Sequence, residues 1–241
     1  MIRRIQLAPI VLALGLVSGS AHAALQGRDL NGSASSFEAY YDTDRNITWL
    51  ADANYAWTSG YDTDGRMSWT DAKTWAANLR LVDAVNKITY DNWRLPTVVD
   101  TGRPGCQDFA YTGTDCGYNV DTATGEMAHL FYDELGNKAN YDTSGNSNQP
   151  GWGLTNTGPF TNLRAYAYWY GTELAPNTGD AWVFSFNSGG QNAYYKYGSY
   201  YALAVSPGDV AAAVPAVPEA QTYALMLAGL GLIGWRARRR G

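Results

Sequence analysis

Short stretches of alternating apolar and polar residues recur along the chain, and a period of two is typical of β-strands with one buried face. Residues 37–41 and 47–50 have this pattern and are predicted to form two strands. Aromatic residues occupy every second position in 166–170 and in 182–186, and 202–205 is a short apolar run. The final third of the chain therefore predicts an antiparallel meander.

Two segments have the spacing of an α-helix instead. In 68–86, Trp69 and Trp75 fall on one apolar stripe, as in a helix packed against a core. Residues 125–135 repeat this pattern, and His129 lies off the stripe, where a surface or hydrogen-bonded histidine is expected. The stretches on either side of this second helix are rich in Gly, Asn and Thr and predict long loops.

The segment 91–97 places a charged residue between two apolar ones. Trp93 and Leu95 alternate with Arg94, and Pro96 holds the preceding residue in an extended conformation. Such an arginine usually binds a carboxylate or backbone carbonyls, because its guanidinium has five donors and cannot lose its charge. Arg94 is predicted to be a structural pin between a strand and a loop, with a ligand-binding arginine as the alternative.

The letters NWRLPT at 92–97 resemble the W-R-L-P-T signature of the Lcl C-terminal domain family, a bacterial surface domain named after a collagen-like adhesin. Further segments fit in the same order, namely 47–52, 69–79, 168–172 and 181–184. The signature residues are Trp49, Trp69, Trp93, Arg94, Leu95, Pro96 and Trp182. The resemblance implies an α+β fold with a single C-type-lectin-like domain at 37–206, in which two helices pack on a twisted antiparallel sheet with long loops. Some members of the family bind sulfated polysaccharides.

Residues 1–23 have the three parts of a secretory signal peptide. Arg3 and Arg4 form a charged start, an apolar run follows, and an A-x-A sequence places the cleavage site after Ala23. A permanent membrane anchor is disfavoured, because the apolar run is too short for a hydrocarbon layer of about 30 Å. Residues 24–36 are small and polar and are predicted to be flexible.

The C-terminal end combines a short motif, an apolar stretch and a basic cluster. After a linker at 207–217, Pro218 and Glu219 precede the apolar residues 223–235. The basic cluster consists of Arg236, Arg238, Arg239 and Arg240. This order within 218–241 resembles the PEP-CTERM sorting signal of exosortase substrates. The resemblance implies an exosortase as partner, a short transmembrane segment held transiently in the inner membrane, and release to the cell surface or the exopolysaccharide matrix.

The charge of the chain restricts its partners. Between residues 24 and 217 there are 11 basic and 21 acidic side chains, a net charge of about −10. This charge repels phosphate backbones, so no nucleic acid is expected as a partner. It also disfavours sulfated glycans, and in this respect the chain departs from the family members that bind them.

Cys106 and Cys116 are the two cysteines of the chain and are predicted to form a disulfide, as is usual in an exported protein. Closing this short loop would stabilise the fold by roughly 2–3 kcal/mol. No metal site and no cofactor are expected, since the mature chain has one histidine and no C-x-x-C spacing. Calcium at the Asp-rich turns 42–46 and 62–65 is the alternative, although the first lacks the glycine and the glutamate of a calcium loop.

The last third contains more tyrosine than a core needs, so some of these rings are expected at the surface. Exposed rings beside Asn and Gly loops suit a neutral sugar, because a ring stacks on C–H groups while amides bind hydroxyls. The candidate ligand-binding residues are Trp169, Tyr170, Tyr194 and Tyr195, and a neutral polysaccharide is the expected partner. Aromatic residues of a sheet edge or an interface are the alternative interpretation.

No motif of a known catalytic site occurs in the sequence, such as G-x-S-x-G, H-E-x-x-H or a phosphate loop, and no catalytic residue is assigned. The chain is therefore predicted to be an exported, non-enzymatic glycan-binding or adhesion module of the surface or matrix. A structural matrix protein without a ligand is one alternative. A carboxylate-dependent polysaccharide hydrolase is the other, because Asp and Glu are plentiful.

Overall fold

The computed structural model describes residues 25–33, 36–100, 110–175 and 177–210. Helices and strands both occur there, so the predicted α+β class is confirmed. The helices are α1 (Tyr55–Thr58), α2 (Trp69–Asn78) and α3 (Glu126–His129), and α3 continues directly into the π-helical turn Leu130–Glu134. The strands are β1 (Leu25–Arg28), β2 (Ala39–Asp42), β3 (Ile47–Leu50), β4 (Arg66–Met67), β5 (Leu81–Asp83), β6 (Ile88–Tyr90), β7 (Ala167–Glu173), β8 (Asp180–Ser185), β9 (Gly190–Tyr195), β10 (Tyr200–Tyr201) and β11 (Val205–Pro207).

These strands form two larger sheets and one hairpin. The first sheet has the order β1-β2-β3-β11 and the second the order β4-β10-β7-β8-β9, while β5 and β6 form the separate hairpin. Neighbouring strands run antiparallel, except that β10 is parallel to β7. The predicted layout of one antiparallel sheet beneath two helices is therefore wrong, because β1 and β11 complete a sheet apart from the aromatic meander.

Strand β7 is buried on both faces. Tyr168 and Tyr170 face an apolar cluster that includes α3 and the π-helical turn, and Trp169 faces a second cluster that includes α2. The ring N–H of Trp69 donates to the carbonyl of Tyr170 at 2.8 Å, and that of Trp169 to the carbonyl of Met67 at 2.9 Å. These hydrogen bonds satisfy the buried indole groups and fix α2 against the sheet.

Helix α2 is shorter than the predicted helix 68–86. Ser68 accepts a hydrogen bond from the backbone N–H of Asp71 at 3.3 Å and caps the first turn. The helix ends at Asn78, where the apolar stripe also ends. The second predicted helix, 125–135, is confirmed to within one residue at each end by α3 and its π-helical turn.

The hairpin β5–β6 occupies the end of the region predicted to be helical. At its turn, the carboxylate of Asp83 accepts hydrogen bonds from the backbone N–H groups of Val85 and Asn86 at 2.9 and 2.8 Å. An aspartate that binds the backbone two and three residues ahead stabilises a turn in competition with a helix. This local interaction explains why the helical periodicity does not continue beyond α2.

The predicted flexible segment 24–36 contains strand β1, so that prediction is wrong for this part. Arg28 is buried, and its guanidinium donates to both carboxylate oxygens of Asp209 at 2.6 and 2.7 Å. Asp209 belongs to the predicted linker 207–217. The ion pair therefore joins the two ends of the domain, and the packed region extends beyond 37–206 in both directions.

The apolar members of the predicted signature are buried: Trp49, Trp69, Trp93, Leu95, Pro96 and Trp182. Arg94 is half-buried, and its guanidinium donates to both carboxylate oxygens of Glu126, the first residue of α3, at 2.7 and 2.8 Å. It also donates to the carbonyl of Leu95 at 3.0 Å. The Glu126 carboxylate further accepts the backbone N–H of Thr97 at 2.6 Å. These contacts fasten the segment 91–97 to the start of α3, as the structural-pin interpretation of Arg94 predicts.

We expect Glu126→Ala to lower the free energy of unfolding by about 1–3 kcal/mol, because Arg94 then lacks its carboxylate and the Thr97 amide its acceptor. Urea denaturation measures the change. Glu173→Ala is the matched control, since it removes an exposed ion pair with Lys196 at 2.7 Å, and exposed pairs contribute little. An equal loss of stability in the two variants would contradict the role of Arg94 as a pin.

Candidate ligand-binding site

A cleft of about 300 Å³ opens on the second sheet. Its floor consists of residues on β7, β8 and β9, and its sides come from β10, from the loop before α3 and from the turn between β8 and β9. The cleft therefore combines side chains from distant parts of the chain, on a rigid sheet whose opposite face is packed in the core.

Cross-strand pairing explains why the floor is a depression. Residues directly opposite each other on neighbouring strands share a face of the sheet. Ala167, Ser185 and Gly190 form one such row across the three strands, and Val183 lies opposite Asn192 in the next row on that face. Because these residues are small or of moderate size, the sheet surface lies low between the surrounding tyrosines.

Tyrosine rings form the walls of the cleft. Tyr194 and Tyr200 have ring centroids 5.6 Å apart, and Tyr200 lies edge-on against the buried Trp169 at 4.8 Å. In the loop before α3, Tyr118 packs against Tyr141 at 4.7 Å. Burial raises the pKa of Tyr118 and that of Tyr200 above the usual value for tyrosine. Both hydroxyls therefore stay protonated at neutral pH and can donate hydrogen bonds.

The polar groups of the cleft are amides and hydroxyls. Asn192 Oδ1 accepts a hydrogen bond from the backbone N–H of Ala193 at 2.8 Å, whereas its Nδ2 donates to no atom in the part of the chain that the structure describes. Ser188 donates to Ser185 Oγ at 3.2 Å. No charged side chain is among the described residues that line the cleft. The site thus offers aromatic faces, an amide donor and hydroxyls to an uncharged ligand.

Two of the predicted ligand-binding residues do not reach the surface. Trp169 and Tyr170 are fully buried, and the hydroxyl of Tyr170 donates to Gln191 Oε1 at 2.7 Å inside the core. Their prediction as ligand-binding residues is therefore wrong. The physical reason is that β7 is a central strand with a packed layer on each face, so its alternation of aromatic rings has no solvent-exposed side.

The other two predicted residues separate onto opposite faces of β9. Tyr194 lines the cleft and is half exposed, and its role in ligand binding stays a prediction. Tyr195 is 58% exposed, but successive residues of a strand point to opposite faces, so it faces away from the cleft. There it stacks on Tyr197, with the ring centroids 5.2 Å apart. The structure does not bring Tyr195 together with Tyr194 in one site.

Sequence reasoning did not single out Tyr118, Asn192 and Tyr200 as one group. The spacing of Asn192 and Tyr194 is a usable signal, since residues two apart on a strand share a face. Tyr118 carries no such signal, because it reaches the cleft from a loop without periodicity. Its position depends on tertiary contacts such as the backbone pairing of Gly117 with Gln191, with N–H to carbonyl distances of 2.8 Å in both directions.

A larger cleft of about 730 Å³ lies beside β2, β3 and α1 and is lined by two carboxylates, Glu38 and Asp52. Glu38 accepts hydrogen bonds from the backbone N–H of Leu30 at 2.9 Å and from the amide of Asn31 at 2.6 Å. Asp52 accepts one from the hydroxyl of Thr58 at 2.7 Å. Through these hydrogen bonds the two carboxylates stabilise the neighbouring loops.

The two Asp-rich segments form turns, as the main interpretation predicts. Asp42 accepts hydrogen bonds from the backbone N–H groups two and three residues ahead, both at 3.0 Å. Asp62 does the same at 3.0 and 2.7 Å. Calcium at these turns stays the alternative prediction.

Several predicted features lie outside the described residues: the signal cleavage site at Ala23, Cys106 of the predicted disulfide, and the tail residues Pro218, Glu219, Arg236, Arg238, Arg239 and Arg240. Cys116 is described and is buried. The disulfide therefore stays a prediction.

Comparison with known proteins identifies the C-terminal tail. Residues 216–240 match the PEP-CTERM protein-sorting motif. The sorting motif implies export, recognition by an exosortase and a membrane-anchored transit before processing, and the predicted sorting tail is thereby confirmed. Among the helices of the described ranges, none is long and apolar enough to cross a membrane, and the predicted span 223–235 lies outside those ranges.

The body of the chain has no such match. No curated protein and no solved structure matches the chain. The resemblance to the Lcl C-terminal domain family and the C-type-lectin-like form of the fold therefore have no support from these comparisons.

Proposed function

We propose that this exported protein is a non-enzymatic glycan-binding module of the cell surface or exopolysaccharide matrix, and that it binds a neutral sugar in the cleft between Tyr118, Tyr194 and Tyr200. The observation that carries the proposal is the combination of aromatic walls with amide and hydroxyl groups and without a charged side chain. A neutral sugar presents C–H groups on one face and hydroxyls at its edge, so it needs both kinds of contact.

The dimensions of the site support a sugar ring as the ligand. A volume of about 300 Å³ lies at the lower end of the range for small-molecule sites, so one ring of a longer chain is a suitable occupant. The amide Nδ2 of Asn192 is a donor for a sugar hydroxyl. The net negative charge of the body favours a neutral polysaccharide over a sulfated one.

Binding without hydrolysis is supported by the position of the carboxylates. Glycoside hydrolysis normally requires a pair of carboxyl groups on either side of the scissile bond. No carboxylate is among the described residues that line the tyrosine cleft. A structural matrix protein without a ligand is the alternative function, distinguished by a complete lack of glycan binding.

The cleft is tested with purified protein on an array of neutral and acidic polysaccharides, followed by calorimetry with the best neutral oligosaccharide. Tyr194→Ala is expected to weaken binding about 10-fold, which corresponds to about 1.4 kcal/mol, because a stacking surface is lost. Tyr197→Ala is the matched control, since Tyr197 is 79% exposed and outside the cleft, and it should leave the affinity unchanged.

Three outcomes would contradict the proposed function. Equal effects of Tyr194→Ala and Tyr197→Ala would show that the cleft is not the binding site. Binding restricted to sulfated or other acidic polysaccharides would conflict with its uncharged lining. Accumulation of new reducing ends in the polysaccharide would identify a hydrolase instead.

A further inference from the structure

One histidine and two carboxylates from separate elements meet in the interior of the protein. Asp42 is the last residue of β2, His129 the last of α3 and Glu134 the last of the π-helical turn. Nε2 of His129 lies 3.1 Å from Glu134 Oε1 and 3.6 Å from Asp42 Oδ2. Asp42 is fully buried, His129 is 7% exposed and the Glu134 side chain is buried to a similar degree. One nitrogen and two oxygen atoms therefore converge in a nearly closed space.

The second ring nitrogen of His129, Nδ1, lies beside a third carboxylate, that of Asp133. Nδ1 lies 2.9 Å from Asp133 Oδ2, within hydrogen-bond distance of that carboxylate. Nε2, on the other side of the ring, is directed towards the two buried carboxylates. Nε2 is buried and has no well-aligned hydrogen bond within the described part of the chain, and the nearer of the two carboxylates, that of Glu134, lies 3.1 Å away. Two buried carboxylates beside one ring nitrogen repel each other unless positive charge lies between them, and either a proton or a metal ion can supply that charge.

The π-helical turn brings Glu134 to the histidine. In an α-helix successive residues rotate by about 100°, so a residue five positions further on faces away from the first. Here the backbone N–H of Leu135 donates to the carbonyl of Leu130 at 3.0 Å, five residues back, and the turn is wider. The wider turn places Asp133 against one ring nitrogen of His129 and Glu134 against the other.

The carboxylate of Asp42 is held in place by its own contacts. Its Oδ1 accepts the backbone N–H groups of Asp44 and Arg45, both at 3.0 Å. Its Oδ2 accepts the indole N–H of Trp49 at 3.3 Å. These hydrogen bonds fix the orientation of the side chain, so Oδ2 stays directed towards His129, as expected for a preorganised ligand.

We propose that Asp42, His129 and Glu134 bind a divalent transition-metal ion, and that Zn²⁺ is the best match. A tetrahedral ion with bonds of about 2.0–2.1 Å requires ligand atoms about 3.3 Å apart. The separations of 3.1 and 3.6 Å from Nε2 are close to this value, and the three ligand atoms all lie within 4.8 Å of one another. An imidazole nitrogen suits Zn²⁺, whereas Ca²⁺ and Mg²⁺ prefer oxygen ligands throughout.

The ion would have a structural role. It joins the end of β2 in the first sheet to the helix that packs on the second sheet, and its ligands are far apart in the sequence. Such a site does not exist in the unfolded chain, so metal binding adds directly to the stability of the fold. Asp133 is a positioning residue, because it orients the imidazole through Nδ1 without touching the ion.

The test uses the mature exported protein without a polyhistidine tag, first treated with a chelator. Calorimetric titration with Zn²⁺ is expected to show one ion per protein, and Zn²⁺ should raise the melting temperature by about 5 °C or more. His129→Gln should weaken Zn²⁺ binding ~100-fold or more and abolish this thermal shift. Asp133→Asn should weaken it by ~10- to 100-fold, as for other outer carboxylates.

Asp42→Asn and Asp62→Asn form a matched pair. Both aspartates begin turns and accept two backbone N–H groups, and asparagine keeps an acceptor oxygen in each case. Only Asp42→Asn is expected to reduce Zn²⁺ affinity, by ~10-fold or more. Glu134→Gln tests the same site independently if His129→Gln does not fold.

Three results would overturn the proposal. A chelator-treated protein that binds none of the ions Zn²⁺, Mn²⁺ and Co²⁺ would show that the three side chains are not a metal site. Tighter binding of Ca²⁺ than of Zn²⁺ would overturn the choice of a transition metal. Equal loss of Zn²⁺ binding in Asp42→Asn and Asp62→Asn would place the ion elsewhere.

Discussion

Replacing Trp93 by alanine is expected to lower the free energy of unfolding by about 3–5 kcal/mol. The ring is 4% exposed and packs in the cluster formed with α2 and Trp169, and its indole N–H donates to the carbonyl of Tyr90 at 3.0 Å. Alanine would leave a cavity beside α2 and leave that carbonyl without its partner. The large effect follows because this part of the core is built mainly from indole rings and small residues.

Urea denaturation of Trp93→Ala and Trp57→Ala measures this effect against a matched tryptophan. Trp57 is on α1 and is 44% exposed, so its replacement should change the stability much less. A folded Trp93→Ala variant with an unchanged melting temperature and no glycan binding would instead assign Trp93 to a ligand site. The same experiment therefore separates the two interpretations of the segment 91–97.

Processing at the sorting motif is expected to remove the C-terminal tail completely from the protein that reaches the surface. The match to the sorting motif at 216–240 implies recognition by an exosortase, and we propose cleavage near Pro218 and Glu219. As a helix, the apolar residues 223–235 would cover only about 20 Å of a hydrocarbon layer of about 30 Å. Such a segment suits transient retention, with the arginines that follow it on the cytoplasmic side.

Intact mass of the protein from membrane, surface and medium fractions tests this processing, in cells with and without the exosortase. The membrane form should retain Arg238–Arg240 in cells without the enzyme, and the surface form should lack them when the enzyme is present. Glu219→Ala should block cleavage, whereas Ala220→Pro, which introduces the second proline of the motif, should be cut at least as well. Recovery of the three arginines in the surface or medium fraction would contradict this route.

Local patterns predicted the elements of the fold better than their arrangement. The alternation at 182–186 and the stripe of α2 correctly identified residues of the core, because each pattern depends on which face of one element is apolar. The N-terminal strand β1 was not predictable in this way. Its four residues show little alternation, and the strand is held by pairing with β2 and by the ion pair of Arg28 with Asp209.

The same contrast between local sequence pattern and tertiary arrangement applies to the residues of the candidate sites. Composition and alternation predicted exposed rings in the last third of the chain, and Tyr194 is one of them, but Trp169 and Tyr170 look equally suitable in the sequence. Their burial is decided by the layers on both faces of β7, which no local pattern reveals. The buried carboxylates of Asp42 and Glu134 lie beside His129 because the helical turn after α3 is widened and because β2, far away in the sequence, packs against it.

By itself, the sequence determined the α+β class, the longer helices, the strands β2, β3, β7 and β8, and the C-terminal sorting tail, because each depends on residues close together in the chain. The tertiary structure alone decided which aromatic rings are exposed, where Tyr118 meets Tyr194, and that Asp42 lies beside His129. These features depend on contacts between residues far apart in sequence, and such contacts form only when the two sheets and α3 pack together.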